Sequence, residues 1–340
     1  MRLSILLLFF LLSGCMEKEF TQQRYVFGTL VEVSVYGRSR EKAEDAIDSV
    51  MRKFGEMHVA LHAWKPSDIT ALNDAFAAGK KRKIDPGVSK IIKDATRLSD
   101  RSKGLFNPAI GNLIRLWGFQ NDEFKPVRPD PETIRKLVAE DPEMHDISIE
   151  NEVASSDNRA VRLDLGGFAK GYALDVAKTI LKEKGIKNAL VNIGGNIMAL
   201  GTHGNRPWHI GIRNPRGPGA IAELDLHDGE AIGTSGDYQR YFVLDGKRYC
   251  HIIDPRTGYP VQGVEAVTVL IRQGQDAGAL SDAASKPIFI SGLAGWRHAA
   301  KQMGVDDALL IDETGKIHVT KALYRRIRFE KQEAGVEVVE

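Results

Sequence analysis

From Ala160 to Gly201 the chain carries the run of local signals that most narrows its fold. Val161–Leu163 reads as a short strand, Asp164-Leu-Gly-Gly167 as a turn, and Phe168–Lys184 as an amphipathic helix. That helix sets Tyr172, Ala173, Val176, Ala177, Ile180 and Leu181 on one face and stops at Gly185. Ala189–Ile193 is a second strand, Gly194-Gly195-Asn196 a turn, and Ile197–Leu200 a third strand. One helix followed by two closely spaced strands is not a repeating βαβ unit.

The remaining pattern agrees. Phe27–Tyr36 alternates, with Val31, Val33 and Val35 facing one way, and Glu41–Phe54 places Ala43, Ala46, Ile47, Val50 and Phe54 on a helical stripe. Further helices are predicted from Pro66-Ser67-Asp68 through Leu72, over Ser89–Ser102, from Asp130 to Leu137 and near Gly295–Met303. Strands are predicted at His209–Arg213, Ile221–Leu226, Tyr241–Leu244 and Val264–Arg272. The class is α+β: a mixed sheet with packed helices. With 340 residues, 43% of them hydrophobic and 27% charged, the chain can bury one large core or two smaller ones. No low-complexity linker interrupts it, so residues 23–340 read as one compact unit or two lobes of one.

A formal charge of +2 and the absence of a basic stripe with interleaved aromatics argue against nucleic-acid binding; Lys80-Lys81-Arg82-Lys83 reads as a solvated turn. Residues 1–14 read as an export signal: Arg2 is followed by an apolar run, Leu3–Leu12, too short to span a bilayer. Leu12-Ser13-Gly14-Cys15 resembles a bacterial lipobox, which makes Cys15 the lipid-bearing first residue and residues 15–22 a polar tether. The expected location is a membrane face toward the periplasm or cell exterior, the inner membrane being favoured although Met16 is not a retention aspartate. Cys250 is the other cysteine. Neighbours on a strand point to opposite faces, so Cys250 is expected to pack in the core and not to act with His251.

Chemistry concentrates in four segments. His251-Ile-Ile-Asp-Pro-Arg-Thr-Gly-Tyr-Pro260 joins an imidazole, a carboxylate, a guanidinium and a hydroxyl on a backbone stiffened by Pro255. Asp164–Gly171 lies between strand and helix, where backbone N–H groups and Lys170 suit an anion, yet it is neither a dinucleotide fingerprint nor a P-loop. Gly233–Tyr238 alone is a small-residue turn, and Ser281–Lys286 alone a helix cap beside an apolar run.

Together these segments resemble the ApbE family of FAD:protein FMN transferases. The likeness runs in order through Phe27-Gly28-Thr29, Asp68–Asn73, Gly104–Ala109, Leu116–Phe119, Asp164–Asp175, Val191–Asn196, Thr234–Tyr238 and the His251 segment. It implies cleavage of the FAD pyrophosphate and transfer of FMN to a threonine hydroxyl of a partner redox protein, releasing AMP. It implies His251 as the catalytic base, with Phe27, Trp64, Leu105, Phe106, Asn107, Asp164, Lys170 and Ile253 at flavin-nucleotide contacts. Trp64 stands where the family usually has tyrosine, and Asn107 where it usually has aspartate.

The likeness also implies Mg²⁺ held by the Gly167 carbonyl, by Asp282 and by the side chain four residues on, normally threonine or aspartate. Here that position is Lys286, and a charged lysine has no lone pair for a hard cation. Pro287 is expected to disfavour a regular helix through Lys286. Two arrangements stay open: Mg²⁺ bound with fewer protein ligands, or the ammonium in its place. Two other functions share these residues: an FAD pyrophosphatase yielding FMN and AMP, and a non-catalytic flavin-binding lipoprotein.

Overall fold

The structure, a computed structural model, describes residues 18–121, 123–330 and 335–340. Cys15 and the leader, with the lipidation expected there, lie outside the described residues. Among the described residues no helix is long and apolar enough to cross a membrane.

The chain opens with a hairpin, β1 (Glu19–Val26) and β2 (Thr29–Tyr36), then α1 (Arg40–Ala60), α2 (Asp68–Ala77), β3 (Arg82–Lys83) and α3 (Pro86–Arg101). A middle section holds α4 (Gly111–Leu116), α5 (Pro131–Ala139), β4 (Ile147–Glu150) and β5 (Val153–Ser156). Next come α6 (Ala169–Glu183), β6 (Ala189–Ile193), β7 (Asn196–Leu200), β8 (Trp208–Arg213), β9 (Ala220–Leu226) and β10 (Ala231–Gly236). The hairpin β11 (Tyr241–Leu244) and β12 (Lys247–Cys250) precedes β13 (Val264–Ile271), α7 (Ala277–Ile290) and α8 (Gly292–Gln302). The chain closes with β14 (Asp307–Asp312), β15 (Ile317–Thr320), α9 (Lys321–Tyr324), β16 (Ile327–Phe329) and β17 (Val336–Val339).

A nine-stranded sheet in the order β1-β2-β6-β7-β10-β13-β14-β15-β17 forms the middle layer. Its pairs are antiparallel except β15 with β17. One face is covered by α1, α6, α7 and α8; the alternation at Val31, Val33 and Val35 buries those side chains there, against Ala46, Ile47 and Phe54. The other face packs through Ile232, Leu270 and Leu309 on Trp208, Ile210 and Leu224 of the β8–β9–β16 sheet. A third, smaller cluster joins α4, α5 and the β11–β12 hairpin through Leu113, Trp117, Phe119, Ile134 and Phe242. The α+β reading therefore holds.

Several local expectations change. Residues 19–22, read as tether, lie in β1, because their backbone pairs with β2. Val161–Leu163 is not a strand: Arg162 forms only an isolated bridge to Ile110, and the N–H groups of Arg162 and Asp164 donate to the carbonyls of Ala109 and Pro108. Gly233–Gly236, read as a turn, is the end of β10. Its small residues are there because α7 crosses it closely; a Cβ on Gly233 would lie 2.5 Å from the Ser281 carbonyl oxygen, and Ser235 Oγ meets Ser285 Oγ at 2.6 Å.

The largest correction is α7. It runs through Lys286 and Pro287 to Ile290. An interior proline costs about 3 kcal/mol. The cost is offset by burial of nearly the whole helix between β10, β13, α6 and α8. A helix buried all round has no amphipathic period, which is why it was not visible in the sequence.

Candidate active site

The turn before α6 is closed by the chain itself. Gly166 N–H donates to Asp164 Oδ1 (2.8 Å), and the N–H groups of Phe168 and Ala169 donate to the Leu165 carbonyl. Gly171 N–H donates to Asp282 Oδ2 at 2.8 Å. The backbone donors expected to receive an anion are thus largely committed, and positive charge at this turn comes from side chains. Gly171 serves helix packing: a Cβ there would stand 2.3 Å from the Gly278 carbonyl oxygen, so only glycine lets α6 and α7 cross this closely.

That crossing places Asp282 under the turn. Its carboxylate is buried, with Oδ2 on Gly171 and Oδ1 on the Lys286 ammonium. Lys286 Nζ also donates to the Asp282 carbonyl at 2.8 Å, and its Cε is 3.4 Å from where a Cβ on Gly167 would stand. Burial alone would raise the Asp282 pKa, but the charges of Lys286 and Lys170 and the two hydrogen bonds hold it below the usual carboxylate range. Burial lowers the pKa of Lys286, with Asp282 opposing and Lys170 adding to the shift.

These residues do not fit a divalent cation. Both Asp282 oxygens are engaged, the position four residues on presents an ammonium, and no group of three or more His, Cys, Asp or Glu among the described residues could hold a metal. Where the family places an oxygen ligand beside Asp282, the contact made here is the Lys286 ammonium.

His251 follows β12, half-buried, with its ring edge toward Phe119 (6.4 Å between centroids). Nδ1 is 3.3 Å from the Arg240 carbonyl, an acceptor only, so this contact puts the proton on Nδ1 and leaves the Nε2 lone pair available. Burial and the positive charges of Arg240, Lys170 and Lys286 push its pKa down to about 3. The imidazole is neutral at physiological pH and lies within the field of both site lysines.

The rest of its loop is structural. Asp254 and Arg256 bind each other through two side-chain hydrogen bonds (2.9 and 2.8 Å), and Gly258 turns at φ 75°, where a Cβ would collide with Ile134. Trp117 Nε1 holds the Gly258 carbonyl at 2.8 Å. Of the four groups that made this segment look like a site, the imidazole is the one whose pKa the lysines shift. Cys250 is buried and its thiol is pushed up to about 12, as core packing requires.

The remaining candidates form two groups. Trp64 Nε1 donates to Asp164 Oδ2 (3.1 Å), Arg162 lies over the Trp64 ring, and Lys170 Nζ reaches the Gly166 carbonyl (3.3 Å). Phe106 is buried against Phe168 and sits beside Gly167. Phe27 belongs to the same wall through two histidines the sequence reading did not single out. Its ring meets His58 at 6.0 Å, His58 meets His62 at 5.5 Å, and His62 Nδ1 accepts from the Trp64 N–H (3.1 Å). Their spacing of four residues, from the last turn of α1 to just past its end, was the available signal. Phe27 holds φ 56° in the two-residue turn between β1 and β2, an uncommon conformation for a bulky residue.

Two candidates are committed elsewhere, and a third, Leu105, packs with the core that holds Phe106. Asn107 accepts from Ala109 N–H and donates to the Pro142 carbonyl, so its amide shapes its own loop. Ile253 is buried in the third cluster. Asp175, unassigned from sequence, accepts from the N–H groups of Gly278 and Ala279 and so caps α7 from α6; burial raises its pKa to about 6.

Residues 27–310 match the family model described as the ApbE family. The chain belongs to this family. It is 43% identical over 311 residues to a protein of Rhodobacter capsulatus named FAD:protein FMN transferase, and the match covers 92% of this chain but 58% of that relative's length. A relative of the same name in Treponema pallidum is 28% identical over 330 residues, covering 92% of this chain and 89% of its own. Among solved structures, the ApbE protein of Thermotoga maritima superposes with a TM-score of 0.82 at 29% identity, covering 93% of this chain and 100% of that one. The flavin transferase ApbE of Vibrio cholerae gives 0.78 at 25% identity, covering 91% and 99%.

Proposed function

We propose that this chain transfers FMN from FAD to a threonine hydroxyl of a partner protein and releases AMP. The observation that supports the reading is His251, whose Nδ1 faces the Arg240 carbonyl and so leaves Nε2 free to accept a proton, with Lys170 and Lys286 near enough to lower its pKa. The names of the relatives and the extent of the matches support it. In this reaction the acceptor hydroxyl oxygen attacks the phosphorus on the riboflavin side of the pyrophosphate. A P–O bond to the threonine forms, the anhydride P–O bond breaks, and AMP leaves with the bridging oxygen. The hydroxyl proton passes to His251 Nε2 and then to solvent or the departing phosphate. Lys170 and Lys286 stabilise the negative charge that shifts onto the phosphate oxygens. Phe27 and Trp64 line the same wall and suit a flat heterocycle, by ring contact.

The lipid anchor at Cys15, the membrane location and acceptors among exported or membrane redox subunits belong to the same proposal. They are supported by the lipobox-like Leu12–Cys15. Partition of the full chain into detergent, lost in Cys15→Ala, checks the anchor.

The deciding experiment incubates purified protein with FAD and a threonine-bearing acceptor and follows acceptor mass and AMP. An added FMN mass is expected, and His251→Ala should slow it by about 10²–10⁴-fold. AMP release that is equal with and without acceptor, and no added mass, would instead identify an FAD pyrophosphatase.

A further inference from the structure

The chain carries a cation of its own at the point where the diphosphate is read to bind. Lys286 Nζ is anchored twice, on the carboxylate and the carbonyl oxygen of Asp282, and its stem lies against Gly167. Its side chain is only 14% exposed and that of Asp282 2%, so the pair is built into the α6–α7 crossing and is not a surface contact. An ammonium has three N–H donors. Asp282 takes two, which leaves the third for a phosphate oxygen. A divalent ion seated on Asp282 Oδ1 would have to displace the ammonium. It would also bring two like charges into contact in a poorly solvated space.

We propose that the Lys286 ammonium is the resident counter-charge for the FAD diphosphate in this protein, and that FAD binding and FMN transfer proceed without a divalent metal ion. The inference rests on the FMN-transferase reading and deepens it by assigning the phosphate-neutralising group. Asp282 is then the positioning residue that holds the ammonium, and Lys170 supplies a second positive charge from the same turn.

The test uses the full chain, with Lys286→Met (charge removed) and Lys286→Thr (a hydroxyl that can ligate a metal). FAD affinity is read from flavin fluorescence in EDTA and in millimolar Mg²⁺, and Mn²⁺ binding from its electron paramagnetic resonance signal. For the wild type, equal FAD affinity in EDTA and Mg²⁺ and no tightly bound Mn²⁺ are expected. Loss of the charge-assisted contact in Lys286→Met should weaken FAD by about tenfold or more in both buffers. Lys286→Thr should bind Mn²⁺ and regain FAD affinity only with metal; it remains informative if the methionine variant fails to fold. Wild-type FAD binding or transfer that falls by about tenfold in EDTA and returns with Mg²⁺ overturns the inference while leaving the transferase reading intact. Absence of FAD binding in both buffers overturns both.

Discussion

Two carboxylate–cation pairs sit in the segments that carry the chemistry, and they do opposite things. Asp282 and Lys286 are buried between two helices, 2% and 14% exposed. Asp254 and Arg256 form a two-pronged pair in a loop where the guanidinium is 60% exposed. Burying charge is costly and is recovered only through good geometry and further hydrogen bonds, whereas a solvated pair contributes little beyond fixing a turn. The buried pair therefore fixes the α6–α7 crossing, and the solvated one staples the loop that follows His251.

The comparison breaks most readily at Asp282. Asp282→Ala leaves Lys286 buried without its partner and frees the Gly171 N–H, so a loss of about 3–5 kcal/mol is expected by urea unfolding. His251 offers the next reading. Its pKa in the fold, about 3, lies below its ordinary 6.5, so the neutral form is the native one. Its contribution to stability is full above pH 6.5 and is lost as the pH falls from there through about 3. In the ligand-free protein its ring resonances should not titrate across the neutral range. Lys286→Met should move the titration upward, while Arg256→Met should leave it in place.

A smaller effect is expected at the cap that sets the buried pair's helix. Asp175→Ala removes the acceptor of two N–H groups at the start of α7 and should cost about 1–2 kcal/mol in the same urea assay. Smallest is Asp254→Ala, about 1 kcal/mol or less, because Arg256 is left in solvent. A loss there as large as at Asp282 would erase the distinction between the pairs.

Much of this was legible in residue order. Alternating valines gave β2, the helical stripe gave α1, and His251, Trp64, Asp164 and Lys170 were singled out without coordinates. Legibility failed where a signal depends on neighbours distant in the chain. Ile253 reads like its site neighbours but is buried in the third, smaller cluster, and Asn107 spends its amide on Pro142 and Ala109. His58 and His62 carry no motif, and their link from Phe27 to Trp64 exists only once α1 is packed.

The sequence by itself determined the α+β class, the family and the presence of a lysine where an oxygen ligand was expected. It also determined that this lysine cannot ligate a hard cation, because protonation leaves it no lone pair. Only the tertiary structure decided what the lysine does instead. Helix α7 continues through Pro287 because burial on all sides outweighs one missing N–H, and that continuity puts residues 282 and 286 one turn apart. The ammonium is thereby locked onto Asp282 beneath the glycine turn, a placement set by long-range packing and not by local propensity.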